Sequence, residues 1–174
     1  MRIISGNHKG KKILLPKDKL TRPLKDLTKE SIFNIMKHSK LLNVKIEKSN
    51  ILDLFSGIGS FGLECLSRGA QHVTFIENYK NVLPVLKKNI TNLSFENNCL
   101  VLEKNIFDQL DFTNLRTKYD IIFLDPPYKE KRIIQLLKKI IDSEILDNDG
   151  IFIMHRHKNE KDECIILNPS LHDL

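Results

Sequence analysis

Three sets of residues in this chain have types and spacings that could do chemistry. The first is Ile51-Leu-Asp53-Leu-Phe55-Ser56-Gly57-Ile-Gly59-Ser-Phe-Gly62, a G-x-G-x-x-G run preceded by a carboxylate. Glycines let a backbone turn sharply and let a ligand approach it closely, and a helix N-terminus behind them favours electronegative groups. The second is Glu77, 20 residues after Gly57. At that distance an acidic side chain ends the next strand and can accept both hydroxyls of a ribose. The third is Asp125-Pro126-Pro127-Tyr128. Two prolines remove two backbone donors and fix φ, which leaves a rigid turn with free carbonyls. Such a turn suits an exocyclic amine, because the Asp125 carboxylate and the Pro126 carbonyl can each accept one N–H and so aim the nitrogen lone pair. Tyr128 offers a face on which a base can stack.

The glycine spacing alone fits a dinucleotide as well as S-adenosylmethionine. Two details favour the second. Asp53 lies within the strand, four residues before Gly57, where its carboxylate can reach a cationic methionine end but would repel a pyrophosphate. Nothing downstream resembles the separate catalytic domain of a dehydrogenase. Asn105-Ile106, after a later strand, stands where adenine contacts are usual in such folds.

Positioning these residues requires strands alternating with helices. Ile51–Phe55, Val73–Ile76, Leu100–Leu102, Asp120–Leu124, Gly150–Met154 and Cys164–Leu167 read as strands. Ser60–Arg68, Lys80–Asn92 and Ile133–Ile141 read as helices, the second with Asn81 as its cap and Pro84 in its first turn. Strands apolar on both faces and joined by helical crossovers imply a mostly parallel, doubly wound α/β sheet. Before it, Arg2–Pro16 reads as two short strands around a Gly6–Gly10 turn. Leu24–Lys40 reads as a helix with Leu24, Leu27, Ile32, Ile35 and Met36 on its apolar face and Thr21-Arg22-Pro23 at its start. The expected division is a basic extension over residues 1–48 and a Rossmann-like domain over 49–174.

Charge supports that division. The chain has 174 residues and a net charge of +6, but residues 1–48 hold 13 Lys/Arg against 4 Asp/Glu, whereas 49–174 hold 15 against 18. A basic appendage on a slightly acidic body suggests a polyanionic partner and shows where it would dock. At 41% hydrophobic and 29% charged residues the chain reads as globular. No apolar run approaches the ~20 residues of a membrane span. Cys65, Cys99 and Cys164 are far apart and lack CxxC spacing, which argues against a disulfide framework or a structural zinc and favours a reducing cytoplasm. His155 and His157 flank Arg156, but with no third ligand nearby they read as surface residues, and no metal is expected. Lys129, Lys131 and Arg132 could meet substrate phosphates or simply form a solvated helix start.

Taken in order, Arg2-Ile-Ile-Ser-Gly6, Lys9-Gly-Lys11, Arg22-Pro23, Glu30-Ser-Ile-Phe-Asn34, Leu52-Asp-Leu-Phe-Ser-Gly57, Gly62-Leu-Glu-Cys-Leu-Ser-Arg-Gly-Ala70 and Asp125–Tyr128 resemble the RsmD family, bacterial methyltransferases that modify the N2 amine of one guanine in 16S ribosomal RNA. The resemblance implies a methyltransferase fold whose N-terminal hairpin helps hold RNA through Arg2, Lys9, Lys11, Lys12 and Arg22. It places S-adenosylmethionine on Asp53, Phe55, Ser56, Gly57, Gly59, Glu77, Asn105 and Ile106, and the amine on Asp125, Pro126, Pro127 and Tyr128. It further implies 16S rRNA or an assembling small ribosomal subunit as partner and a monomer in the cytoplasm. The chain departs from the family at Arg22-Pro-Leu-Lys-Asp-Leu-Thr-Lys-Glu30, where arginines are usual, and lysine is a point charge rather than a bidentate phosphate ligand. The family's final Tyr-Gly strand is also not found, so a six-stranded sheet with an open edge is expected. The Asp-Pro-Pro-Tyr turn serves any amino group, which keeps an adenine-N6 methyltransferase in play. A nicotinamide-dependent dehydrogenase and a noncatalytic RNA-binding protein are the rivals from other classes.

Overall fold

From Asn50 onward the alternation of apolar strands and amphipathic helices gives β1 (Asn50–Leu54), α2 (Ser60–Ser67), β2 (His72–Ile76), α3 (Leu83–Asn92), β3 (Cys99–Leu102), β4 (Tyr119–Leu124), α4 (Ile133–Asp142), β5 (Leu146–Lys158) and β6 (Lys161–Leu167), with α1 (Asp26–His38) ahead of them. These elements come from a computed structural model that describes residues 1–17, 24–39, 42–115, 117–158 and 161–167. The six strands run in the order β3-β2-β1-β4-β5-β6. All neighbours are parallel except β5 and β6. The chain order reverses between β1 and β4, and in an open α/β sheet that switch point leaves a crevice at the carboxyl ends of the strands.

Alternation along the central strands splits the core in two. Ile51, Val73, Phe75, Ile121 and Phe123 pack on one face with α1, α2 and α3 residues, whereas Leu52, Leu54, Ile76, Ile122 and Leu124 pack on the other with Leu136 and Ile140 of α4. Asp53 therefore falls on the first face, beneath α2. The third glycine of the loop permits that approach: a Cβ on Gly62 would lie 2.4 Å from the Phe75 ring. Gly59, at φ +81°, is the left-handed cap from which α2 starts, a conformation that costs a residue with a Cβ 1–2 kcal/mol or so.

The N-terminal segment forms a turn closed by a single antiparallel bridge, Arg2 with Lys12, rather than two full strands. Ile3 and Ile13 are buried in the α1–α3 side of the core. Sequence-specific polar contacts hold the segment down. The Ser67 hydroxyl donates to the Ser5 carbonyl at 2.6 Å and accepts the His8 N–H at 3.0 Å. The Asn89 amide brackets Leu14, accepting its N–H at 2.7 Å and donating to its carbonyl at 3.2 Å.

Three expectations are corrected. The buried face of α1 is Lys29, Ile32, Phe33 and Met36, while Leu27 and Ile35 are exposed. The i, i+3, i+4, i+7 spacing accommodates a charged residue because Lys29 has a buried partner, described in the Discussion. Helix α3 starts at Leu83, capped by Val82, and the Asn81 amide instead donates to the Tyr79 hydroxyl at 2.9 Å. Strand β5 runs eight residues beyond the expected five, from Leu146 to Lys158, because it pairs with β4 on one side and β6 on the other.

Candidate active site

A cleft of about 1400 Å³ opens at the switch point. Its walls bring together Asp53, Phe55, Ser56, Gly57, Glu77, Asn105 and Ile106 from the expected cofactor set with Asp125, Pro126, Pro127 and Tyr128 from the expected amine set. Gly59 stands behind the loop as the cap of α2. Arg2, Lys9, Lys11 and Lys12 are exposed on the N-terminal turn and do not line the cleft, and Arg22 falls outside the described residues.

Hydrogen bonding decides what the glycine loop can bind. Glu77, just past β2, accepts the Gly57 N–H at 2.7 Å through one carboxylate oxygen, and the Asn78 and Tyr79 N–H groups at 2.8 Å through the other. The Gly59 N–H donates to the Ser56 carbonyl at 2.8 Å, and the Gly62 N–H to the Asp53 carboxylate at 3.0 Å. All three glycine amides are engaged within the protein, so the loop does not present them to a phosphate as a dinucleotide site does. Burial pushes the Asp53 carboxyl well above the usual carboxylate range, and the Asp125 and Glu77 charges push it further, against the Gly62 N–H that favours the ionised form. Asp53 and Glu77 at this end of the cleft, with the Asp125 charge within electrostatic reach, make it a place for a cation. Further along, Phe55 and Phe107 meet at 5.9 Å and 49° beside the buried Ile106, offering apolar walls for a flat ring. The Asn105 side chain accepts the Phe107 N–H at 2.9 Å and so shapes that wall.

At the other end, Asp125 follows the last residue of β4 and Pro126 is buried behind it, while Tyr128 is 55% exposed at the rim. Sequence reasoning misplaced His155. It is buried, not on the surface, and its Nδ1 lies 2.8 Å from Asp125 Oδ1. Strand register was the available signal: Leu124 pairs with Met154, so the next residue on each strand is Asp125 and His155. Nor is Arg132 a free phosphate ligand. Its guanidinium makes two 2.9 Å hydrogen bonds to Glu130 and lies 3.8 Å from the Phe107 ring centroid, and it holds the Glu130 carboxyl down at about 2.

A doubly wound sheet whose switch-point cleft joins the glycine loop to the Asp125–Tyr128 turn has the Rossmann-like methyltransferase fold. A model of the family described as conserved hypothetical protein 95 matches residues 1–172. YlbH of Bacillus subtilis (strain 168), described as a candidate rRNA methyltransferase, is 35% identical over 161 residues, 92% of this chain and 84% of its own length. The ribosomal RNA small subunit methyltransferase D of Buchnera aphidicola subsp. Baizongia pistaciae is 36% identical over 156 residues, 90% of this chain and 76% of its own. The solved structure of yhhF from Escherichia coli, described as a candidate methyltransferase, superposes with a TM-score of 0.73 at 27% identity, covering 92% of this chain and 83% of that one. The chain belongs to this family, the RsmD family.

A pH effect follows from Asp53. Because its folded pKa is raised, the ligand-free protein binds more protons than the unfolded chain above the ordinary carboxylate range, and stability falls as pH rises from there to the raised value. A cation brought against Asp53 favours the ionised form. The placement of the cationic methionine end at Asp53, proposed below, therefore predicts that S-adenosylmethionine binding releases a proton and tightens as pH rises through the Asp53 pKa. Calorimetric titration in two buffers of different ionisation enthalpy will show net proton release, and Asp53→Asn will abolish it.

Proposed function

We propose that this chain is an S-adenosylmethionine-dependent methyltransferase that modifies the N2 amine of a guanine in small-subunit ribosomal RNA. The observation that carries this reading is the opening of Asp125-Pro-Pro-Tyr128 into the same cleft as the carboxylate-lined glycine loop. S-adenosylmethionine supplies an electrophilic methyl group. In this reading Asp53 faces its cationic methionine end, Glu77 accepts the ribose hydroxyls, and Asn105 and Ile106 with Phe55 and Phe107 enclose its adenine. The Asp125 carboxylate and the Pro126 carbonyl accept the two N–H groups of the target amine, which fixes the direction of its lone pair. Tyr128 stacks on the base. Alignment supplies most of the rate, since a well-oriented pair of reactants can gain roughly 7–11 kcal/mol. An amine inside a duplex cannot enter the cleft, so the guanine is unpaired or flipped.

Residues 1–48 form the RNA-docking extension and 49–174 the catalytic domain of a cytoplasmic monomer that meets naked rRNA or an assembling subunit. Among the described residues no helix is long and apolar enough to cross a membrane. Replacing Lys9, Lys11 and Lys12 together by alanine will weaken RNA binding and lower the slope of log affinity against log salt by about 2, at roughly 0.7–0.9 per lost phosphate contact. Binding measured across a salt series checks this, and an unchanged slope assigns docking elsewhere. The function itself is tested by incubating the purified protein with S-adenosylmethionine and small-subunit rRNA and mapping modified nucleosides by mass spectrometry. N2-methylguanine at one position is expected. N6-methyladenine, or methylation of DNA instead, overturns the assignment of the target amine.

A further inference from the structure

We infer that His155 is a positioning residue that sets the orientation of the Asp125 carboxylate for the incoming amine. The inference rests on the proposed function and goes beyond it by naming a residue that does not itself touch the reacting atoms. Parallel pairing carries the two residues to the same level, Asp125 just past the carboxyl end of β4 and His155 beside it within β5. There the His155 side chain is buried and Asp125 is partly open toward the cleft, with relative exposures of 7% and 25%. The contact is His155 Nδ1 to Asp125 Oδ1 at 2.8 Å. An ionised carboxylate has no proton to give, so Nδ1 carries the hydrogen and donates it.

The consequence is geometric. A carboxylate turns about its terminal torsion with broad, roughly two-fold freedom, and an amine acceptor that turns is a poor guide for a lone pair. A donor fixed in the wall of β5 pins Oδ1 and leaves Oδ2 as the oxygen that meets the substrate. The Pro126 carbonyl needs no such support, because the proline ring already restricts its backbone. Asp125 would otherwise be the loosest of the two acceptors, and His155 supplies the missing constraint.

The test uses the full chain, S-adenosylmethionine and small-subunit rRNA under single-turnover conditions, with His155→Leu, His155→Asn and His155→Gln. An asparagine amide nitrogen falls near the Nδ1 position, whereas a glutamine amide nitrogen falls near Nε2. His155→Leu is expected to slow methyl transfer about 10- to 100-fold, the scale on which small misplacement costs rate, with the S-adenosylhomocysteine Kd and the RNA Kd within about 2-fold of wild type. His155→Asn restores most of the rate and His155→Gln does not. A His155→Leu enzyme as fast as wild type, or equal rates for the asparagine and glutamine variants, overturns the inference. If the leucine variant does not fold, the asparagine–glutamine comparison decides. Nitrogen-15 NMR adds a readout independent of turnover: a hydrogen-bonded Nδ1–H signal in the wild type that disappears in Asp125→Ala. Should the wild type leave rRNA unmethylated while that signal persists, the functional reading fails and the pairing stands. If the signal is missing, the pairing fails.

Discussion

Asp125→Ala will slow methyl transfer by roughly 10²- to 10³-fold, the loss typical when one preorganised polar group at the reacting centre is removed, while S-adenosylhomocysteine affinity changes little. The separation follows from where each group sits. Cofactor contacts are expected from the β1 and β2 ends of the cleft, where Asp53 and Glu77 hold the glycine loop through Gly62 and Gly57. Asp125 lies across the switch point at the end of β4, and among the described residues its bond to that side is its own N–H, 3.4 Å from the Leu54 carbonyl, which alanine retains. What alanine removes is one of the two acceptors proposed for the amine, together with the acceptor of His155 Nδ1. The second loss removes the carboxylate that a buried donor faces and costs about 1–3 kcal/mol of stability, so rates must be measured well below the melting transition. Single-turnover transfer and calorimetric S-adenosylhomocysteine titration on the same preparation check both halves. Unimpaired transfer removes Asp125 from the amine site, and a lost cofactor affinity makes it a cofactor residue instead.

The parts of this site that sequence reveals are those whose chemistry is local. A glycine run between an apolar strand and a helix has few other uses, and two successive prolines at a strand end leave the backbone little choice. Asp53, Glu77 and Asp125 could be read from their distance to such landmarks, and they share one cleft. The residues that escaped are defined by partners far away in the chain. In sequence His155 reads as half of an exposed H-x-H pair because nothing near it marks burial, and its register against β4, 30 residues earlier, gives it a role. Lys29 escaped for the same reason. A lysine on a helix is ordinarily solvated, so the apolar spacing finds the buried Ile32 and Met36 but adds Leu27 and Ile35, which are exposed, and passes over Lys29. Lysine 29 is buried because Glu64, 35 residues on, is buried too. The same holds for strand length, since β5 extends past its apolar stretch where β6 returns to pair with it. Periodicity reports burial by apolar neighbours and is silent about burial by a paired charge.

That buried pair carries the second large effect: Glu64→Ala will destabilise the protein by about 3–5 kcal/mol, the cost of removing the buried partner of a buried charge. Among the described carboxylates only the part-exposed Asp26, its Oδ1 3.8 Å from Lys29 Nζ, is then left to face it. Glu64 and Lys29 are both fully buried. One Glu64 oxygen accepts the Ile4 N–H at 2.8 Å and lies 3.5 Å from Lys29 Nζ, and the other accepts the Ser5 N–H at 2.9 Å and Arg68 Nε at 2.8 Å. Lys29 Nζ also donates to the Arg2 carbonyl at 2.9 Å. One carboxylate thus ties the N-terminal turn and α1 to α2, and Arg68 extends the tie by lying 4.0 Å over the Phe33 ring. At roughly 2–4 °C per kcal/mol for a domain of this size, the melting temperature falls by about 6–20 °C. The pH dependence identifies the mechanism. Burial already lowers the Lys29 pKa, with Glu64 the first group opposing that shift. Without Glu64 the folded state sheds the Lys29 proton more readily still, while the unfolded chain keeps it to near its ordinary pKa of 10.5. The unfolded state then binds more protons over the interval between the two values, and stability of the variant rises with pH across it. Denaturant titrations at pH 7 and pH 9.5 will show Glu64→Ala recovering part of its loss, and Lys29→Met in the same background recovering it without the pH dependence. A loss below about 1 kcal/mol, or one that does not depend on pH, means that the two charges are not the latch. Because Arg2, Lys9, Lys11 and Lys12 ride on the segment that Glu64 holds, the variant should lose RNA affinity at temperatures where it still binds S-adenosylhomocysteine.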